Sequence, residues 1–163
     1  MLKLRKNKKG FTLVELIVVI AIMAVLAGVV AGVTVSQLNK QTDKTGQSQA
    51  NTIAQFLSQC VLTGETEGVD KITTETTDDD NVTTTAFISA DDLKTVLDKQ
   101  YSSSSIEVNQ TGGRGKIAVT FITAAVGDVP VGSIKIYYQG KQSGTAGDAT
   151  YYVAIDGTIT KGE

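Results

Sequence analysis

A chain of 163 residues, 41% of them hydrophobic and 20% charged, has room for a membrane segment and one modest globular domain. Histidine is absent and Cys60 is the only cysteine, which excludes an internal disulfide, a clustered-thiolate metal site and any nucleophile–histidine pair. The formal net charge of −2 conceals an asymmetry: Lys3, Arg5, Lys6, Lys8 and Lys9 crowd the start, leaving 10 basic against 17 acidic residues from Phe11 onward. An acidic body with no basic stripe predicts no nucleic-acid partner.

The first element is KKGFTLVELIVVIAIMAVLAG, residues 8–28. No charged residue lies between Leu16 and Val33, and a helix over that run is about 27 Å long, close to the hydrocarbon thickness of a bilayer. The run is too long for an ordinary secretory signal, contains Glu15, and is not closed by an A-x-A site or a lipoprotein cysteine. Residues 11–35 are therefore predicted to be an uncleaved single-pass anchor, with the leading cations holding the N-terminus in the cytoplasm. An ionised Glu15 inside such a helix costs about 2.5–3.5 kcal/mol, so it calls for a role.

From residue 35 to 64 the chain has no proline and ends on Gly64. Ile53, Phe56, Leu57, Cys60 and Val61 recur at helical spacing as one apolar stripe, and Cys60 reads as a small buried member of it rather than a redox group. Asn39 to Gln49 is polar on every face and contains Gly46. The expectation is one helix from about 11 to 62, its far half packed on a domain through the stripe and its near half needing neighbours from other chains. Residues 63–89, rich in threonine and aspartate, read as an exposed loop. Ser89-Ala90-Asp91-Asp92 reads as an N-cap with acids in the first turn of a short helix ending near Tyr101. After it, SIEVN, KIAVTFIT, VGSIKIYYQ and TYYVAIDGTIT carry strand patterns, with turns at Asn109–Gly113 and Gly140–Gly147. The fold class is α+β: a long N-terminal helix, membrane-spanning in its first half, packed through its second half on an antiparallel sheet of three or four strands.

A basic leader ending in Gly10, followed by Phe11-Thr12-Leu13-Val14-Glu15 and an apolar run, resembles the class III signal of type IV prepilins and of the pseudopilins of type II secretion and competence systems. The likeness is close over residues 6–27. It implies a leader at 1–10, an assembly helix at 11–35 and a pilin head at 36–163. It also implies cleavage after Gly10 by a prepilin peptidase, N-methylation of Phe11, and direction of assembly by Glu15. A residue without a side chain suits position 10, where the chain enters the peptidase extended. In a water-poor filament core the Glu15 carboxylate would pair with the Phe11 amine of an adjacent subunit, satisfying two costly charges in one axial register. The chain departs from many pilins in two ways. Gly28 and Gly32 stand where a proline often interrupts the apolar run, and a single cysteine cannot close a C-terminal disulfide loop, which by analogy suits a Gram-positive or otherwise disulfide-poor host.

Gly28-x-x-x-Gly32 fits close helix packing and equally fits local helix weakness; the expectation is a segment, about 24–33, that is helical in the single subunit and partly non-helical in a filament. Asp78-Asp79-Asp80 reads as a solvated loop in preference to a Ca²⁺ site, since adjacent acids do not converge on one ion. The threonine-rich loop reads as a linker, with a glycan-bearing or receptor-facing surface as the alternatives. Together these readings predict a non-enzymatic structural subunit of a type IV pilus, with no cofactor and no metal. It is held in the membrane until it polymerises with itself and other pilins through an assembly platform and its ATPase, and then lies on the cell surface in adhesion or motility. The alternatives are a pseudopilin and, in a different class, a membrane-anchored binding domain that never polymerises.

Overall fold

The computed structural model describes residues 10–64, 71–101, 106–141 and 144–162; the leader cations lie outside them. The chain divides into two compact units, one ending at Leu38 and one running from Asn39 to the C-terminus. Helix α1, Leu13–Thr63, runs without interruption through 51 residues. Its sequence contains no proline, and alanine and leucine offset the weak propensity of its β-branched residues.

In the first unit every residue described, from Gly10 to Leu38, is exposed. α1 passes through Gly28 and Gly32 with no atom within 4 Å of where a Cβ on either would stand.

The second unit is built on the remaining turns of α1. Asp43, Gly46, Ala50, Ile53, Ala54, Leu57, Ser58 and Cys60 are buried, a stripe at three- and four-residue spacing. Phe56 and Val61 pack half-buried at its margin. The stripe thus starts ten residues before the apolar one at Ile53. The polar stretch 39–49, expected to need other chains, is held within its own unit. Gly46 has no side chain and Asp43 is charged, so neither contributes to a hydrophobic period. A Cβ on Gly46 would fall inside the Tyr138 ring. Asp43, only 2% exposed, accepts hydrogen bonds at Oδ1 from the Tyr138 hydroxyl (3.1 Å) and the Lys141 amide (2.7 Å). Gln47 donates to the Gly147 carbonyl at 3.0 Å, and Ser58 to the Gly157 carbonyl at 2.5 Å.

The threonine-rich stretch is a hairpin rather than a loop. β1 (Thr73–Thr77) pairs antiparallel with β2 (Thr83–Phe87). Threonine is β-branched and favours extended backbone even without an apolar face to bury. Asp78 closes the turn, its Oδ1 accepting the Val82 amide at 2.9 Å. Helix α2, Ala90–Gln100, starts at the expected cap: Ser89 Oγ accepts the Asp92 amide and donates to its carboxylate. Its Leu93, Val96 and Leu97 join the core.

The main sheet has five strands in the order β3-β4-β5-β6-β7: Ile106–Val108, Ile117–Phe121, Ile134–Tyr138, Ala149–Val153 and Ile159–Lys161. The α+β class stands, with one strand more than expected and a mixed sheet. β3 pairs parallel with β4, in register Ile106↔Ile117, because the link between them coils through positive φ at Asn109 and Gly112 instead of reversing the chain once. The last strand pattern, TYYVAIDGTIT, splits into β6 and β7 at a turn. There the Ala154 amide bonds the Thr158 carbonyl and Asp156 Oδ1 accepts the Thr158 amide. The antiparallel register aligns Val119, Ile136 and Tyr151, and beside them Ile117, Tyr138 and Ala149, on one face; this face meets the α1 stripe and α2. On the other face Ile122, Val129 and Tyr152 form a small second cluster.

The Asp43 contacts carry two predictions. Asp43→Ala strands the Lys141 amide and leaves the Tyr138 hydroxyl only the long bond to the Thr42 carbonyl at 3.5 Å, and is expected to cost the head about 2–4 kcal/mol, whereas Asp43→Asn, which keeps an acceptor, costs less. Thermal melts of the full chain in detergent micelles, followed by near-UV circular dichroism, check this; an unchanged midpoint for the alanine variant would refute it.

The second prediction concerns alkali. A hydrogen bond to Asp148, helped by partial burial, pushes the Tyr137 phenol up to about 12, and burial together with Asp43 pushes Tyr138 up to about 12. Both values lie above the ordinary 10.0, so the fold favours the protonated form. Its contribution is complete below pH 10 and is lost as pH rises towards 12. Spectrophotometric titration is expected to find two tyrosines ionising late, together with alkaline loss of the near-UV signal.

Candidate functional site

The N-terminus of α1 is built from Thr12 and Glu15. The Leu16 amide bonds the Thr12 carbonyl at 3.3 Å, closing the first turn. Thr12 Oγ1 accepts the Glu15 amide at 3.3 Å, while Glu15 Oε2 accepts both the Thr12 amide (2.8 Å) and the Thr12 hydroxyl (2.9 Å). This is a capping box, in which the first residue caps the helix and the acid three positions on returns the bond. The Thr-x-x-Glu spacing is visible in the sequence, and reading Glu15 only as an out-of-place charge leaves it unused. Both bonds that Glu15 accepts from described residues end on Oε2. Gly10 and Phe11 precede the helix, and Phe11 is 91% exposed.

Beyond this cap the surface is apolar. Leu13, Val14, Leu16 and Ile17 open a run of exposed aliphatic side chains that continues to Val35 and Leu38. α1 is long and apolar enough to cross a membrane, and none of its most apolar window is buried within the chain.

Residues 5–31 match the family model of the prokaryotic N-terminal methylation motif. The segment is a class III signal of the type IV pilin and pseudopilin kind. This signal implies processing by a prepilin peptidase and assembly into pilus-type polymers, and with the apolar helix it fits a membrane-anchored precursor. The match covers Gly10, Phe11, Thr12, Glu15 and Gly28 and stops one residue short of Gly32. No curated protein and no solved structure matches the chain.

Cys60 and the Asp78–Asp80 run belong to the second unit. Cys60 is buried in the core of the second unit. Asp78, Asp79 and Asp80 are exposed at the β1–β2 turn, and among the described residues no group of three or more potential ligands gathers to hold a metal.

Proposed function

We propose that this protein is a structural subunit of a type IV pilus, anchored in the membrane until it polymerises, and not an enzyme. The observation that carries the reading is a methylation motif opening directly onto a helix surface exposed along its whole described length to Leu38. Such a surface needs lipid first and neighbouring helices afterwards. Residues 1–10 are the leader, 11–35 the anchor and assembly helix, and 36–163 the head. The peptidase cuts between Gly10 and Phe11 and Phe11 is then N-methylated. The assembly platform and its ATPase draw the helix out of the bilayer into the filament.

Glu15 sets the register. The capping box survives cleavage, since the Thr12 amide and hydroxyl both remain in the mature chain. Oε2 stays with Thr12, and Oε1 is the acceptor offered to the α-amine of Phe11 on an adjacent copy. The pairing neutralises two charges that would otherwise be buried singly, and only one axial register achieves it. A pseudopilin shares the motif, and filament length separates the two readings.

Mass spectrometry of sheared surface filaments is expected to find this chain beginning at methylated Phe11, and electron microscopy to show long filaments. Glu15→Ala, as the only pilin present, is expected to be inserted and cleaved normally yet to yield no filaments. Wild-type polymerisation of that variant would remove the registry role.

Gly28 and Gly32 are the points at which the assembled helix loosens. Each costs a helix interior about 0.8–1 kcal/mol against alanine, a weakness hidden in lipid, where an unpaired backbone group is far costlier. Four residues passing from helical to extended rise lengthen a subunit by roughly 7 Å. Filaments of Gly28→Ala, Gly32→Ala are expected to be stiffer and less extensible by force spectroscopy; unchanged extensibility would exclude the glycines as the compliant element.

A further inference from the structure

The head is acidic, so copies brought side by side repel unless local contacts oppose the net charge. α1 carries only two cations, Lys40 and Lys44. They stand one turn apart on one face of the helix, both exposed. The one acid in this stretch, Asp43, points into the head and is held there by Tyr138 and the Lys141 amide. The only charges on the outward face of these turns are therefore positive, and neither lysine is ion-paired among the described residues.

The complement lies beside a turn that is tied to the C-terminal part of the same helix. A cavity of about 330 Å³ opens between the β4–β5 connection and the β6–β7 turn. Pro130, Tyr152 and Ile155 supply an apolar wall, and Asp128, Asp156 and Thr160 the polar edge. No lysine or arginine lines it. Neither carboxylate has an ion-pair partner among the described residues, and the hydrogen bonds to Asp156 come from uncharged groups, the Thr158 amide and hydroxyl and its own backbone. An apolar wall with uncompensated carboxylates at its mouth fits a lysine side chain, which buries its four-carbon stem and keeps its ammonium at the edge.

Position decides the occupant. The β6–β7 turn is tied to α1 at Ser58 through the Gly157 carbonyl, and Lys44 lies 14 residues earlier on that helix, about 21 Å along its axis. Donor and acceptor surfaces at separate places on one unit can make a heterologous contact, which continues into an open filament where its rotation does not close a ring.

We propose that Lys40 and Lys44 of one copy dock in the Asp128–Asp156 cavity of the next, giving the filament a head-to-head-group ionic contact separate from the helix core. This rests on the polymer reading above. It is tested in full-length chain expressed as the only pilin, by recovery of sheared filaments. Lys40→Glu with Lys44→Glu, and separately Asp128→Lys with Asp156→Lys, are expected to lower filament yield by about tenfold or more, because each puts like charges face to face. Cleavage and membrane level should stay unchanged. The variant carrying all four substitutions, with the charges exchanged, is expected to recover most of the yield.

Wild-type yield from both two-site variants overturns the contact and leaves the polymer reading standing. Absence of filaments from the unaltered chain overturns the polymer reading and the contact with it. Lack of recovery in the exchanged variant, with its head still protease-resistant, overturns the pairing. If the exchanged head is protease-sensitive, neutral variants decide instead. Lys40→Gln with Lys44→Gln, combined with Asp128→Asn and Asp156→Asn, should then lose no more than either pair alone, and fully additive losses overturn the proposal.

Discussion

Among the described residues the first half of α1 is exposed throughout, and that constraint governs the rest. Between Phe11 and Leu38 the helix exposes 17 large apolar side chains. At about 1.5–3 kcal/mol for each one left in water, the total exceeds the net stability of an ordinary domain several-fold. No folding of the remaining residues offsets it. The surface must be covered from outside the chain, by lipid or by other helices. A methylation motif at its start fits a protein that moves from one cover to the other.

The second unit has the opposite problem. Its last 50 or so residues form short strands and long connections, and with Cys60 alone no disulfide can hold them. The connection from β5 to β6 is fastened by hydrogen bonds instead. Asp43 takes the Lys141 amide from α1, Gln47 reaches the Gly147 carbonyl, and Asp148 bridges the loop's own ends by accepting the Gly140 amide at 2.7 Å and the Tyr137 hydroxyl at 2.6 Å. A buried carboxylate is stable only when its lone pairs are used. Asp43 therefore has one favourable geometry, the one in which the loop is closed, and Gly46 leaves room for the Tyr138 ring that completes it.

These features differ in how far the sequence reveals them. The hexapeptide from Gly10 to Glu15 is legible because it is local chemistry: a side-chain-free residue, an aromatic start and one acid before an apolar run. The Ser89 cap is legible for the same reason. The hairpin 73–87 is not legible from hydrophobic alternation, because Thr73 is its only buried strand residue; threonine's backbone preference was the available signal. Asp43 is legible only through tertiary structure, since an acid in a polar stretch looks the same whether it faces water or Tyr138. The parallel β3–β4 pair is beyond local reading too. A glycine-rich link after a strand predicts a reversal, and only the coiling of that link restores the original direction.

Glu15 joins the local and the collective levels. A carboxylate in a lipid-embedded helix is tolerated most cheaply where it meets donors that the helix already leaves unsatisfied, and the first turn is such a place. Thr12 supplies two of them, both to Oε2. The geometry therefore lowers the cost of keeping an acid there before assembly without exhausting its capacity, since a carboxylate has lone pairs on both oxygens. An acid consumed wholly by its own helix would carry no information about neighbours. One left wholly bare would oppose insertion. A half-satisfied carboxylate avoids both limits, and on the polymer reading the unused oxygen is what makes one axial position of the next subunit better than its alternatives.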